Sequence, residues 1–214
     1  PYGLRRAVVG LIRIIAEYNL DLLLDETFTE SLKLYEPIIA DKVEPAALQR
    51  QLREFIAGRL KPMLLEQGIR YDVIDAVLAD YNDILDVTLK AKAINGLIAE
   101  SWLVGVVKSA DRLGRITKEA KENDVRAADF VEPQEKNLHE LYLQANWEVG
   151  AAIKNENWLL AVQTLARLTG PIEEFFDKVL VMHQDERIKR NRLALLKSLE
   201  KLYTSVADFR KIVV

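Results

Sequence analysis

Residues 175–206 read FFDKVLVMHQDERIKRNRLALLKSLEKLYTSV, and this stretch decides the fold expected of the whole chain. A short apolar run leads to Asp185, a residue type that caps helices, and a long amphipathic pattern follows it. The apolar positions recur at gaps of three, four and seven residues, at Ile188, Leu195, Leu196, Leu199, Leu202, Tyr203 and Val206. This period predicts a long helix with one face pressed onto a core.

The same helical period extends over the rest of the chain. Amphipathic segments bounded by Pro, Gly, Asn or Asp recur throughout, and no segment shows the strict apolar–polar alternation of a half-buried strand. Pro37 is expected to limit one helix and Pro62 to kink or break another, which Gly68 ends. Asp72 is expected to cap the next helix. We predict an all-α bundle of roughly eight to ten helices, a single domain over residues 1–214 with a possible subdivision near 95–130.

Composition and charge exclude several classes of protein. The chain has a formal net charge of −3, so contact with RNA must come from local clustering of its 30 Lys and Arg residues. No apolar run approaches the ~20 residues that span a bilayer. The chain has no Cys, which excludes disulfides, thiolate metal sites and a Cys nucleophile and is compatible with a reducing compartment. We expect a cytoplasmic protein with neither membrane nor DNA as a partner.

Three stretches carry a resemblance to a known family. The ending FFDKVLVM followed by NRLALLKSLEKLYTSVADF resembles the end of the anticodon-binding domain in β subunits of the bacterial tetrameric glycyl-tRNA synthetases. The segment from Phe130 to Leu138 resembles the Phe-x-Glu-Pro-x-Glu-x-x-Leu motif of that family, and Tyr2–Arg6 resembles the start of the domain. Arg112 and Ile116 match a helix of the family, whereas Asp111 and Arg115 depart from it. The resemblance covers the second half of the chain and the first residues best.

The resemblance implies a fold, a function and partners. It implies an all-helical anticodon-binding domain, cut from a longer β subunit, that recognises tRNA-Gly for glycine attachment by an α₂β₂ enzyme. The partners implied are tRNA-Gly, the synthetase α subunit and the rest of the β subunit. ATP and Mg²⁺ are used by the whole enzyme, and no cofactor is implied for this fragment.

No catalytic residue is predicted in this chain. The phosphate-loop, dinucleotide-loop, nucleophile-elbow and helical zinc motifs are absent from the sequence. His139 and His183 lie 44 positions apart and neither has a partner at helical metal-site spacing. A surface, packing or capping role is therefore expected for each, and no metal site is predicted. Phe175 and Phe176 are expected in the core rather than as a stacking surface, and for Met182, where either role is open, we favour a gap-filling position in the core.

Candidate tRNA contacts come from Lys and Arg residues at helical spacing, because phosphate contact needs cations. Two stripes of such residues and a pair near the start make up the candidate set: Arg5, Arg6, Lys108, Arg112, Arg115, Lys118, Arg190, Lys197 and Lys201. Trp102 and Tyr203 are the aromatic residues nearest to these stripes. Acidic residues such as Asp111 and Glu119 interleave with the cations, so solvated helix faces remain an open interpretation beside tRNA contact.

Two other functions stay open at this point. The corresponding domain of an arginyl-tRNA synthetase shares the FFD…LALL ending, although the Glu-Pro segment, the Tyr2–Arg6 opening and the ending VADF favour the glycyl type. A helical protein-interaction module without RNA binding belongs to a different class altogether. Salt-sensitive, anticodon-dependent binding of tRNA-Gly distinguishes the three.

Overall fold

The computed structural model describes residues 2–39, 44–120 and 124–214. Within these ranges the α-helices are α1 (Tyr2–Tyr18), α2 (Leu24–Ile39), α3 (Pro45–Glu66), α4 (Tyr71–Val77), α5 (Ile84–Gly96), α6 (Leu103–Ile116), α7 (Pro133–Lys154), α8 (Trp158–Arg167), α9 (Thr169–Lys178) and α10 (Glu186–Thr204). Short 3₁₀ turns lie at Ala127–Asp129 and Phe209–Lys211. The described ranges contain no strand, and the all-α prediction is confirmed. The predicted start at Pro1 and residues 121–123 lie outside them.

The chain divides into two compact units, Pro1–Lys92 and Ala93–Val214, and the boundary falls inside α5. The prediction of a single domain with a possible subdivision near 95–130 stays a prediction. Over the residues that the structure describes, no helix is both long enough and apolar enough to cross a bilayer.

The first unit is built around α3, on which α1, α2 and α4 pack. Ile12 and Ile15 of α1 are buried, and so are Ile56 and Leu60 of α3. The start of α2 is tied to the start of α5, because the backbone amide of Leu24 donates to the carbonyl of Asn82 at 2.7 Å. These contacts leave much of the outer surface of α1 exposed.

Neither Pro37 nor Pro62 ends a helix, so the predicted limit at Pro37 and the predicted break at Pro62 are wrong, whereas a kink at Pro62 stays a prediction. α3 begins at Pro45, as a proline in the first turn allows, and runs without a break through Pro62 to Glu66. It stops as predicted at Gly68, which has a φ of +80°. α2 likewise continues past Pro37 to Ile39. A proline inside a helix removes one hydrogen bond but keeps a helical φ, and the neighbouring hydrogen bonds carry the helix across it.

The prediction that Asp72 caps a helix is also wrong. α4 begins at Tyr71, after Arg70, so Asp72 lies in its first turn rather than before it. The Asp72 side chain is buried and accepts from Nε and Nη2 of Arg70 at 3.0 and 2.6 Å. Asp72 thus pairs with Arg70 and also accepts from the amide of Val73 at 3.1 Å, but it does so from within the first turn and not from the N-cap position.

The second unit surrounds α10, which packs against α6, α7 and the Ala127–Asp129 turn. All of the apolar positions predicted for its core face are buried: Ile188, Leu195, Leu196, Leu199, Leu202, Tyr203 and Val206. Asp185 caps the helix as predicted, since its side chain accepts from the amide of Arg187 at 2.8 Å. α7 packs against α8, and α9 packs on both α6 and α7. The helix that decided the fold from the sequence therefore buries ten of its residues in this unit.

Candidate nucleic-acid interface

An open groove of about 590 Å³ lies between the C-terminal end of α6 and the first half of α10. Of the described residues, four cations line it: Arg115 from the last turn of α6, Lys118 from the turn that follows α6, and Lys189 and Arg190 from α10. Its apolar lining comes from Ile116, Met182 and Leu193, and the carboxylates of Glu119 and Glu186 also face it. The groove therefore combines cationic and apolar side chains, and we call its three apolar residues the floor.

Local sequence explains why α6 ends where the groove begins. Thr117 is buried, and its hydroxyl donates to the carbonyl of Leu113 at 2.8 Å, which closes the last turn of the helix. The backbone then turns through residues 117–119, which brings Lys118 to the groove. Gly114 permits a second close contact in this turn, because a Cβ there would lie 2.8 Å from Nη1 of Arg210. A side chain at position 114 would displace that arginine.

A buried ion pair fixes the register of α10 beneath the groove. Nε and Nη2 of Arg192 donate to the two carboxylate oxygens of Glu135 at 3.0 and 3.1 Å, and Nη1 donates to the carbonyl of Leu180 at 2.8 Å. The Glu135 carboxylate also accepts from the amides of Val131 and Glu132 at 2.9 and 2.7 Å. Burial alone would raise the pKa of Glu135, but these hydrogen bonds outweigh it and lower the pKa.

A second cavity of about 450 Å³ adjoins the groove and shares Glu186 and Arg190 with it. The segment before α7 forms its other wall, held by Asn191, whose side chain accepts from the amide of Arg126 at 2.7 Å and donates to its carbonyl at 3.1 Å. Arg187 makes an ion pair with Asp129 across the same wall. Arg126 and Arg187 thus extend the cationic lining beyond the groove, although carboxylates accompany them.

The structure brings together only some of the predicted contacts. Arg115, Lys118 and Arg190 all line the groove, although they belong to different predicted stripes. Arg115 is exposed and also pairs with Asp111 at 2.8 Å. The convergence of the two stripes depends on the packing of α6 against α10, which periodicity within one helix does not indicate.

The other cations in the C-terminal unit lie outside the groove lining. Arg112 lies 4.0 Å from the centre of the Phe176 ring on α9, where it packs against the aromatic face. Lys197 is half-buried and pairs with Glu200. Lys108 and Lys201 are exposed on α6 and α10.

The two candidates in the first unit belong to α1. Arg5 and Arg6 are exposed, and the guanidinium of Arg5 lies 5.9 Å from the ring centre of Tyr2. All residues that line the groove belong to the second unit, so these two arginines are not part of it.

Sequence reasoning missed Lys189, Arg126 and Arg187 as neighbours of the groove. The run from Arg187 to Arg190 contains four positions of which three are cationic, a density that could have indicated Lys189. Met182 was expected in the core, and this expectation is wrong: its side chain lines the groove and is 52% exposed. The reason is that residues 179–185 form an irregular, bent connection between α9 and α10, where helical periodicity does not apply.

Both histidines have contacts of the expected kinds. His139 lies 5.2 Å from Phe130 and 6.4 Å from Tyr142, measured between ring centres. Nδ1 of His183 accepts from the amide of Asp185 at 3.0 Å, a local contact beside the helix cap. Over the part of the chain that the structure describes, no three acidic or histidine side chains are placed to share a metal ion.

Comparison with known families and proteins gives matches over the whole chain. Residues 1–79 match the model of the family described as glycyl-tRNA synthetase beta subunit, and residues 107–208 match the DALR anticodon binding domain. The glycine–tRNA ligase beta subunits of Desulforamulus reducens and Syntrophus aciditrophicus are each 34% identical to it over 100% of its length. That of Clostridioides difficile is 30% identical over the same share. The chain spans 31% of the length of each of these relatives.

Proposed function

We propose, from the premise that this chain belongs to the glycyl-tRNA synthetase β-subunit family, that it binds tRNA-Gly through the groove between α6 and α10. In this proposal the chain supplies anticodon recognition to an α₂β₂ glycine–tRNA ligase in the cytoplasm. The supporting observation is that four of the described cations, from α6, the turn that follows it and α10, converge on one groove, within the residues that match an anticodon-binding domain. Catalysis, with ATP and Mg²⁺, is assigned to other parts of that enzyme.

The lining of the groove fits a single-stranded loop better than a duplex. Sequence-specific recognition of RNA depends on unpaired bases that leave their stack and lie on aromatic rings or on Arg guanidinium planes, and Arg115 and Arg190 supply such planes in the groove; a neighbouring apolar surface excludes water from the base. Met182, Ile116 and Leu193 offer such a surface, and the cations around it can hold the adjoining phosphates. We therefore assign an unpaired nucleotide of the anticodon loop to this groove, with its base on the floor.

The acidic neighbours set how strong the contact can be. Lys189 pairs with Glu186 at 3.0 Å, and Arg115 pairs with Asp111, so neither cation is fully available until a phosphate competes for it. Exposed pairs of this kind contribute ~0–1 kcal/mol, which is little resistance to exchange for a phosphate. The acidic groups also disfavour generic polyanion binding, in keeping with a net charge of −3.

A titration of tRNA transcripts at two salt concentrations tests the proposal. Lys118→Gln with Lys189→Gln should weaken tRNA-Gly binding and reduce the slope of log affinity against log salt by ~0.7 for each phosphate contact removed. The matched control is Lys136→Gln with Lys154→Gln, two exposed lysines of α7 in the same unit, which should change neither quantity. Equal affinity in both double variants, or no salt-sensitive binding of tRNA at all, would contradict the proposed site.

Two substitutions test the contribution of the apolar floor to tRNA binding separately from that of the cations. Met182→Glu places a carboxylate in the groove, whereas Leu180→Glu places one on a neighbouring residue that is 68% exposed and does not line it. Met182→Glu should weaken binding of tRNA-Gly more than tenfold and Leu180→Glu should leave it within twofold, because only the first meets the base and its phosphate. Changing the anticodon should reduce the affinity of the unmodified protein and have little further effect on Met182→Glu.

A further inference from the structure

The exposed face of α1 carries an apolar seam with the spacing of a coiled coil. Leu4, Ala7, Leu11, Ile14 and Tyr18 follow one another at gaps of three, four, three and four residues. These positions fall within about 80° of arc on the helix. All five side chains are exposed, including Leu4 at 61%, Ile14 at 51% and Tyr18 at 67%. This seam is separate from the buried face of α1.

The seam is not the face by which α1 packs on the first unit, because α1 has a different face that is buried. Ile12 and Ile15 are each 1% exposed and supply the contact of α1 with the first unit. They lie on a face of α1 turned by about 90° from the middle of the seam. α1 thus has two apolar faces, and the first unit covers only one of them. A helix of this kind has room for a second helical neighbour.

The seam is also shaped for the close approach of another helix. Gly3 and Gly10 lie along one edge of it, and a Cβ at either position would meet nothing within 4 Å. Small residues along an edge allow two helix backbones to approach closely. Beyond the glycines lie the exposed side chains of Arg6 and Arg13, which would face acidic residues on a matching helix.

The size of the seam indicates what covers it. A stable complex between separate proteins buries about 20–30 residues on each side, and a seam of five residues falls far short of that. A second copy of this chain, held by this seam alone, would therefore associate weakly. A helix in the same polypeptide needs much less contact area, because tethering provides an effective concentration in the millimolar range. The curated relatives are long enough to supply one, since this chain spans only 31% of their length.

We propose that the seam Leu4–Ala7–Leu11–Ile14–Tyr18 is an intramolecular docking surface for an amphipathic helix in the part of the β subunit outside this chain. The occupant presents an apolar stripe at heptad spacing, with acidic residues opposite Arg6 and Arg13. The proposal rests on membership of the family and not on RNA binding. It makes α1 the attachment of this chain to the rest of its subunit.

Thiol labelling tests the proposal, because the chain has no Cys of its own. Ala7→Cys places a thiol in the seam, and Ala16→Cys places one on an exposed position of α1 that is turned away from it. Alkylation at each position is followed by mass spectrometry in this chain alone and in a full-length β subunit carrying its sequence. Each rate in the subunit is divided by the rate of the same variant in the chain, which removes local effects on thiol pKa.

Ala7→Cys should be slowed at least tenfold by the rest of the subunit, and Ala16→Cys less than threefold. Equal ratios for the two variants would overturn the proposal, because the seam would then remain open in the whole subunit. Slow labelling of Ala7→Cys in the isolated chain that speeds up on dilution would also overturn it, in favour of a second copy. The tRNA titration uses residues of the other unit, so either proposal can fail while the other stands.

Discussion

α1 and α10 are both amphipathic helices, of 17 and 19 residues, yet they are buried to very different extents. α10 buries ten residues among α6, α7 and the turn that precedes α7, whereas α1 buries only Ile12 and Ile15. An apolar stripe shows that a helix face needs a partner, but not that this chain contains the partner. The unit around α10 supplies its own partners, and the unit that contains α1 does not cover both faces.

The same contrast extends to buried charge. In the second unit, Glu135 and Arg192 are both fully enclosed and satisfy one another together with three backbone groups. In the first unit, the buried carboxylate of Asp72 pairs with Arg70, whose side chain is 39% exposed. The second unit is therefore the one in which loss of a single charge should have the larger effect.

The largest expected effect comes from Glu135→Gln. The substitution keeps the shape of the side chain but leaves Arg192 charged and buried without a counter-ion, which costs ~3–5 kcal/mol of unfolding free energy. Urea unfolding followed by tryptophan fluorescence reports on the surroundings of Trp102, Trp147 and Trp158, all of which belong to this unit. Glu140→Gln, on an exposed position of the same helix, should change the free energy by less than about 0.5 kcal/mol. Similar values for both variants would show that the pair contributes nothing.

The sequence predicts the helices of this protein better than it predicts the neighbours of each helix. The caps and stops at Asp185, Pro45 and Gly68 depend on residues close in sequence, and they are confirmed. The pairing of Glu135 with Arg192 joins residues 57 positions apart, and no local pattern indicates it. Either residue could equally have been a solvated charge on a helix surface.

The candidate groove shows the same limit. Helical spacing predicted each cationic stripe separately, but packing of α6 on α10 determined that Arg115 and Lys118 meet Arg190 rather than Lys197. The position of Arg112 against Phe176 depends on α9, which the spacing within α6 does not include. Which cations share a site is therefore a tertiary property, and the sequence alone left all nine as equal candidates.

A pair of leucine truncations sharpens the comparison of the two helices. Leu195→Ala should cost ~2–5 kcal/mol of unfolding free energy, because the residue is fully buried in α10 and truncation leaves a cavity. Leu11→Ala removes the same atoms from the seam on α1, where the side chain is 39% exposed, and should cost less than about 1 kcal/mol in this chain. Far-UV circular dichroism in urea measures both. In a full-length subunit the cost of Leu11→Ala should rise, and a cost that stays unchanged would count against the docking helix.

The smallest expected effect is on the pH dependence of stability, and its sign differs between the units. Among the described residues, four carboxyl groups have a pKa lowered by hydrogen bonds that outweigh burial, and all four belong to the second unit: Glu135, Glu148, Glu174 and Asp185. In the first unit, burial raises the pKa of Asp86. The positive charge of Lys90 opposes this rise in pKa, and the negative charges of Asp83 and Asp21 add to it. The structure therefore predicts opposite responses to acid.

The signs follow from proton linkage. A carboxyl whose pKa is lowered by folding stabilises the protein above its unfolded pKa, and that contribution is lost as the pH falls through the folded value. Asp86 behaves oppositely, because its raised pKa favours the folded state once the group is protonated. Between pH 7 and about pH 3.5, acid should weaken the second unit while Asp86 stabilises the first, since an ordinary Glu titrates near 4.3 and an ordinary Asp near 3.9.

Urea midpoints from tryptophan fluorescence at pH 7, 5, 4 and 3.5 measure the response of the second unit. The free-energy difference between the unmodified protein and Glu135→Gln should shrink as the pH falls below about 4.3, because protonation of Glu135 removes the same charge that the substitution removes. Glu140→Gln should run parallel to the unmodified protein across the whole range. A constant difference for Glu135→Gln would mean that the charge of Glu135 does not stabilise the unit, and that only the shape of its side chain matters beside Arg192.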